Sequence, residues 1–294
     1  MTVTHEEAAA KAAVLIASLP WLKRFHNEVI VVKFGGNAMI DEELTRAFAE
    51  DMVYLRYVGI RPVVVHGGGP QITAELERRG IPSEFRGGYR VTTEQSIGVI
   101  REVLATQVGA GLVELINEHC ELGFGISGDE HGLFTGLRRG AEVDGELIDL
   151  GLVGDVTVVD PERVLTELAA GRIPVISTVA VEAGTGGLLN VNADSAAASL
   201  AVSLAAAKLV VLTDVAGLYS DWPNRDSLVS VIDTLELTEM LPKLESGMIP
   251  KMRACLDAVA GGVPKAAIID GREAHSILLE VFTTAGIGTE VVPS

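Results

Sequence analysis

Two stretches of one design, Glu28-Val-Ile-Val-Val-Lys33-Phe34-Gly35-Gly36-Asn37 and Pro62-Val-Val-Val-His66-Gly67-Gly68-Gly69-Pro70, decide the fold. Each opens as a short, β-branched, continuously apolar run, the pattern of a strand covered on both faces. Each then turns on glycines into a helical pattern, from about Asp41 to Tyr57 in one case and up to Arg79 in the other. Strand, glycine turn and helix in that order is half of a parallel βαβ unit.

The same alternation extends outward. Helical sequence dominates from Thr93 to His119, and residues 121–160 read as short strands and hairpins, with turn signals at Ser127-Gly128-Asp129 and Asp144-Gly145. A helix is expected over Pro161–Ala170 and a strand over Ile173–Ser177. Glycines 184, 186 and 187 read as a seam between two lobes. Beyond them come a helix from Asp194 to about Ala206, a strand Lys208–Thr213, a helix from about Ile249 to Ala260, a strand Lys265–Asp270, and a last helix and strand. At the other end, Thr4 to Phe25 reads as a helix interrupted at Pro20, with Leu15, Leu19 and Leu22 at helical spacing beside Ile16. Such a helix either docks on the core or reaches a neighbouring subunit. The whole predicts an α/β, mainly parallel, three-layer sandwich.

Composition narrows the partners. The 294 residues carry 23 basic and 40 acidic side chains, a net charge of −17, which disfavours nucleic acid and anionic membranes as partners. An anionic ligand must therefore be held by a local concentration of lysine, arginine and backbone N–H groups. Cys120 and Cys255 show no metal-type spacing, residues 1–13 show no secretory pattern, and no apolar run is long enough for a membrane span. A cytoplasmic protein without a resident metal is expected.

The chemistry concentrates at strand ends. Gly35 and Gly36 let the backbone approach a ligand, and the helix start that follows favours an anion. This is not a P-loop, because Lys33 precedes the glycines and no Gly-Lys-Ser/Thr follows them. Two glycines after a strand are also an ordinary turn. Gly67, Gly68 and Gly69 exceed what a turn needs and read as a nest for a phosphate or carboxylate. His66 reads as a strand-end residue with its own hydrogen bonds rather than a base. In Asn190-Val191-Asn192-Ala193-Asp194-Ser195, Asp194 and Ser195 have the types that cap helices, while the asparagines offer neutral donors to a carboxylate. Lys251 follows Pro250 in a first helical turn, where a cation is unfavourable unless an anion partners it. Arg90 offers a guanidinium fork for a carboxylate, or a surface salt bridge.

In this order, Lys33-Phe-Gly-Gly-Asn37, His66-Gly-Gly-Gly-Pro70, Gly88-Tyr-Arg-Val-Thr92, Asn190-Val-Asn-Ala-Asp194 and Ser246-Gly-Met-Ile-Pro-Lys251 resemble the amino-acid kinase family. Within it, they look most like the members that phosphorylate N-acetyl-L-glutamate. The resemblance implies an amino-acid kinase fold in two lobes: residues 26–185 for acetylglutamate and 186–294 for ATP with Mg2+, the metal carried mainly by the nucleotide. It implies Lys33 and Lys251 as transition-state lysines oriented by Asp194, with Gly68, Gly69, Arg90 and Asn190 on the substrate. Gly35 and Gly36 match the phosphate-facing turn, and Thr213, Asp214, Gly217 and Leu218 the nucleotide-side loop. One departure is Ser127-Gly128-Asp129-Glu130, where many relatives carry a lysine after the glycine.

The chain also resembles the arginine-inhibited type, through residues 1–25 and Glu280-Val-Phe-Thr-Thr-Ala-Gly286-Ile-Gly288-Thr289. This implies L-arginine as an inhibitor at Glu280, Gly286 and Gly288, and a homo-oligomer, a hexamer built as a trimer of dimers. A final helix with an exposed glutamate is the plainer reading of Glu280. Two further functions stay open: another carboxylate kinase, acting on glutamate, aspartate or an aminoadipyl carrier protein, and a catalytically silent arginine sensor.

Overall fold

The computed structural model describes residues 4–143, 146–283 and 286–294, so the expected turn at Asp144-Gly145 lies outside the described residues. In chain order the elements are α1 (His5–Phe25), β1 (Val29–Phe34), α2 (Glu42–Tyr57), β2 (Arg61–His66), α3 (Gly69–Arg78), β3 (Phe85–Arg86), β4 (Tyr89–Arg90) and α4 (Glu94–Glu102). A π-helical stretch (Val103–Gly109) leads into α5 (Ala110–Asn117), followed by β5 (Gly123–Ser127), β6 (Phe134–Val143), β7 (Glu146–Val159) and α6 (Glu162–Ala169). The chain continues with β8 (Ile173–Ser177), β9 (Val179–Glu182), β10 (Leu188–Val191), α7 (Ala193–Ser203) and β11 (Lys208–Thr213). It closes with β12 (Val231–Asp233), α8 (Thr234–Met240), α9 (Ile249–Ala260), β13 (Ala266–Asp270), α10 (Ser276–Val281) and β14 (Thr289–Val292).

Among the described residues one sheet of eight strands runs β12-β14-β13-β11-β1-β2-β8-β5. Its pairs are parallel except β13 with β14. All six residues of β1 and of β11 are buried. Their side chains divide by the two-residue period of a strand. Val29, Val31, Val63, Val65, Leu209 and Val211 pack with α7 and α9 on one face. Ile30, Val32, Val64, Val210 and Leu212 pack with α2 and α4 on the other. These are the three layers of the expected sandwich. Chain order reverses at β1, which has β2 on one side and β11 on the other. The crevice outside the carboxyl ends of these strands is where open α/β sheets bind ligands.

Several expectations are corrected. Residues 121–160 hold the short β5 and the expected antiparallel pair, but β6 and β7 are long, and with β9 and β10 they close into a small barrel. The turn expected at Ser127-Gly128-Asp129 is present after β5, and within the barrel Gly154 lies inside β7, where an ideal Cβ would stand 2.7 Å from Leu137 O. Register shifts between Thr135 and Gly136 and between Arg138 and Gly140 give the barrel its curvature. Glycines 184, 186 and 187 lie between the antiparallel strands β9 and β10, and the chain passes to β11 afterwards, through α7. The 93–119 helix is not uniform, since the π-helical stretch interrupts it.

Pro20 does not interrupt α1, which runs unbroken from a Thr4–Glu7 capping box. Proline removes the bond to the Ile16 carbonyl, and Ile16 is 70% exposed, so water can serve that carbonyl. Only Phe25 of this helix is buried, while Val14, Leu15, Ile16 and Leu19 are exposed. The helix therefore projects from the core instead of docking on it.

Candidate active site

The carboxyl ends of β1, β2 and β11 bring most of the expected residues together. Lys33, one residue from the end of β1, is buried, and its Nζ lies 2.9 Å from Asp194 Oδ1. Lys251 Nζ, from the first turn of α9, donates to Asp194 Oδ2 at 3.2 Å. Asp194 is not the helix cap. Asn192 caps α7 by accepting from the N–H groups of Asp194 and Ser195, which leaves the Asp194 carboxylate free for the lysines. Burial opposes ionisation of this carboxyl, but the two ammonium groups outweigh it and hold its pKa below the usual value. Burial lowers the pKa of Lys33, with Lys251 acting in the same direction and Asp194 against it. Two cations thus share one carboxylate in a buried place, and the Asp214 carboxylate acts on Lys33 as well, from beyond ion-pair distance.

Glycines make this arrangement possible. A side chain on Gly35 would collide with Lys33 Nζ, and at Gly36, where φ is +79°, an ideal Cβ would stand 2.6 Å from Asp214 Oδ1. That oxygen accepts the Asn37 N–H at 2.8 Å, so the loop after β11 is tied directly to the turn after β1. Thr213 ends β11 and is buried. Gly217 and Leu218 lie against β14, where the Leu218 N–H donates to Thr289 Oγ1 at 2.8 Å. Beside them opens a cavity of about 360 Å³ lined by Tyr219, Trp222, Met240, Lys243 and Met248 among others. The sequence reading missed these residues, because isolated aromatic and methionine positions carry no periodic signal. A larger groove of about 790 Å³, between α7, α9 and the barrel, is lined by none of the expected site residues.

The glycine nest is ordered through its carbonyls. Gly68 O accepts from Ile72 N–H at 2.8 Å. Gly69 O accepts from Thr73 Oγ1 and from Arg90 Nη2, each at 3.0 Å. The N–H groups of Gly68 and Gly69 have no acceptor among the described residues. Arg90 is 7% exposed, donates also to Ser83 and Thr73, and stacks on Phe85 at 4.6 Å. No carboxylate pairs with it among the described residues, so the surface salt bridge is excluded; burial lowers its pKa. Asn190, on β10, donates through Nδ2 to Thr92 Oγ1 at 3.1 Å. The Ser127–Glu130 loop meets a cation from elsewhere: Arg101 donates to Asp129 at 2.6 Å and to Glu130 at 3.0 Å.

Of the residues assigned to arginine, Glu280 meets Lys208 at the amino end of β11, whereas Gly288 lies beside Ile268 and Ile269 in the carboxyl half of β13. Glu280 is not exposed; it is 4% accessible, with Oε1 accepting from Lys208 Nζ at 2.6 Å and Oε2 from the Ile287 N–H at 3.0 Å. Gly286 packs against that carboxylate and Gly288 against the backbone of β13. Thr284 and Ala285 of the same stretch lie outside the described residues.

Residues 28–270 match the Amino acid kinase family, and the chain belongs to it. It is 66% identical over 99% of its length to the acetylglutamate kinase of Leifsonia xyli subsp. xyli, covering 97% of that protein. It is 67% identical over 98% of its length to the acetylglutamate kinase of Clavibacter michiganensis subsp. michiganensis, covering 95% of it. Among solved structures, N-acetylglutamate synthase from Neisseria gonorrhoeae, complexed with coenzyme A and N-acetyl-glutamate, superposes with a TM-score of 0.83 at 25% identity. That match takes in 96% of this chain but spans only 63% of the synthase chain. Carbamate kinase from Giardia lamblia shares the fold, with a TM-score of 0.61 at 15% identity.

Proposed function

We propose that the chain transfers the γ-phosphoryl group of ATP to the γ-carboxylate of N-acetyl-L-glutamate, a step of arginine biosynthesis. Near-full-length identity of 66% and 67% to acetylglutamate kinases supports the substrate. The single structural observation that carries the chemistry is the buried Asp194 with two lysines on it, next to backbone N–H groups that lack acceptors. The acceptor carboxylate is ionised near neutral pH, so no general base is needed. The difficulty is an anion meeting a polyanion, and fixed positive charge lowers that barrier without reorganising.

Lys33 then serves the transferring group, Lys251 the leaving side, and Asp194 holds both. The Gly68 and Gly69 N–H groups face the reacting carboxylate, Arg90 and Asn190 hold the rest of the acceptor, and the turn at Gly35 and Gly36 faces the phosphates. The purine sits in the cavity beside Gly217 and Leu218. This reading keeps Mg2+ on the nucleotide as part of the substrate. It assigns residues 26–185 to the acceptor and 186–294 to the nucleotide.

No helix among the described residues is long and apolar enough to cross a membrane. The exposed apolar row on α1 supports pairing with another copy, in a hexamer made of three dimers. L-arginine then inhibits at Glu280, Gly286 and Gly288, where its guanidinium has to share the Glu280 carboxylate with Lys208. An inhibitor of this kind must bind the open arrangement of the lobes more tightly than the closed one.

The test is ADP release from ATP with and without N-acetyl-L-glutamate. Turnover that depends on this acceptor, and not on glutamate or aspartate, is the expected result. Turnover with those acceptors instead, or none at all, refutes the reading.

A further inference from the structure

The nest after β2 leaves one peptide without a helical anchor. Gly68 O and Gly69 O are both held by groups of α3, but among the described residues Gly67 O accepts only from His66 Nδ1, at 2.9 Å. A carbonyl can only accept, so Nδ1 carries the proton and Nε2 is the bare ring nitrogen. That Nε2 is buried and has no partner among the described residues. Burial pushes the ring's pKa down to about 4, so it stays neutral near pH 7. An unpartnered buried nitrogen is a cost that an apolar side chain of similar size would not carry. The ring is therefore explained by what Nδ1 does.

We propose that His66 is a positioning residue that locks the Gly67–Gly68 peptide in the orientation phosphoryl transfer needs. In a trans peptide the C=O and the following N–H point in opposite directions. With Gly67 O turned to the ring, the Gly68 N–H is turned to the other side. Gly67 itself lies against Ala193, the neighbour of Asp194, with its ideal Cβ 3.7 Å from the alanine methyl. Glycine on both sides of the peptide gives little resistance to a flip, so the side-chain bond decides. The ring is braced from behind by the π-helical stretch: an ideal Cβ on Gly109 would stand 3.0 Å from His66 Nε2. Thr178 Oγ1 donates to His66 O at 3.4 Å and completes the support. The π-helical stretch thereby gains a function, which is to seat the ring, as such irregularities often do near sites.

This inference rests on the proposed acceptor role of the Gly68 N–H, and the test separates the two. Wild-type turnover of N-acetyl-L-glutamate decides the function. His66→Leu, compared with it, decides the inference. The expected result is a fall in kcat of about 10- to 100-fold, as for partial loss of one preorganised donor, with the KM for ATP unchanged and no loss of thermal stability. His66→Asn, whose amide can still donate to Gly67 O, keeps kcat within about threefold. Gly109→Ala, which presses a methyl on the ring, lowers kcat without touching any ligand. A crystal structure of His66→Leu shows the Gly67 carbonyl turned. The idea is overturned by normal kcat in His66→Leu or by an equal fall in His66→Asn. An unturned Gly67 carbonyl overturns it whether or not the enzyme proves active.

Discussion

The two ends of the central sheet each bury a lysine beside a carboxylate, and they differ in how their lysines and carboxylates are matched in number. At the carboxyl end, Lys33 and Lys251 share the single carboxylate of Asp194. At the amino end of β11, Lys208 meets Glu280 and Glu290, and Lys265 adds a second ammonium to Glu290 at 2.5 Å. There two cations are matched by two anions. For Glu290, burial is outweighed by the two lysines, which hold its pKa below the usual carboxylate value. A cluster with one carboxylate for each lysine leaves no cation for a ligand to pair, whereas two lysines on one buried carboxylate, with Asp214 beyond ion-pair distance, can take an anion from outside.

The sharpest way to break this comparison is Lys251→Ala. If Lys251 serves departure of the phosphoryl group, kcat falls by about 10²–10³-fold. The KM for the acceptor changes little, and thermal stability is kept because Asp194 retains Lys33. Steady-state kinetics with a melting curve check both halves, and near-normal kcat would remove Lys251 from the catalytic set. Glu280→Ala should do the reverse. It leaves Lys208 buried with only Glu290, at a cost of about 2 kcal/mol in urea unfolding, below the range for a fully orphaned charge. With saturating substrates kcat stays near wild type. Equal damage to kcat and stability in either variant would erase the distinction between the two ends.

Arg90→Lys sharpens the acceptor side. A planar fork held by Ser83, Thr73 and Gly69 O is not reproduced by an ammonium. The KM for N-acetyl-L-glutamate should rise by about tenfold, worth roughly 1.4 kcal/mol, with the KM for ATP unchanged. A shift in the ATP constant instead would move Arg90 to the nucleotide side.

What the sequence made legible follows from range. β1 and β2 were readable because strands buried on both faces are continuously apolar, and their glycine ends are local signals. The lysines and Asp194 stood out only as an ordered set. Which residue caps α7 was not readable, since Asn190, Asn192, Asp194 and Ser195 are all of capping type; only the fold assigns the cap to Asn192 and frees Asp194. The barrel was missed because its closure joins β6 to β9 and β7 to β10, which are far apart in the chain. The burial of Glu280 was hidden for the same reason, because its partner Lys208 lies on another element.

The smallest expected effect on chemistry belongs to α1. Its apolar row, Val14, Leu15, Ile16 and Leu19, is exposed, whereas Phe25 is buried in the core beneath β1. Deleting residues 1–19 removes the row and spares Phe25, so the fold should survive. If the row joins one copy to another, light scattering should show a smaller particle, and kcat without arginine should stay within about twofold, since no catalytic group is touched. Inhibition by arginine should weaken, because residues 1–25 and the Glu280 stretch together carry the likeness to the arginine-inhibited type. The two ends of the sheet would then respond separately, the balanced cluster losing its regulator while the unbalanced one keeps its rate. A truncated protein of unchanged size and unchanged arginine response would refute the role of the helix. Loss of kcat in step with loss of assembly would show instead that the carboxyl-end site is completed by a neighbouring subunit.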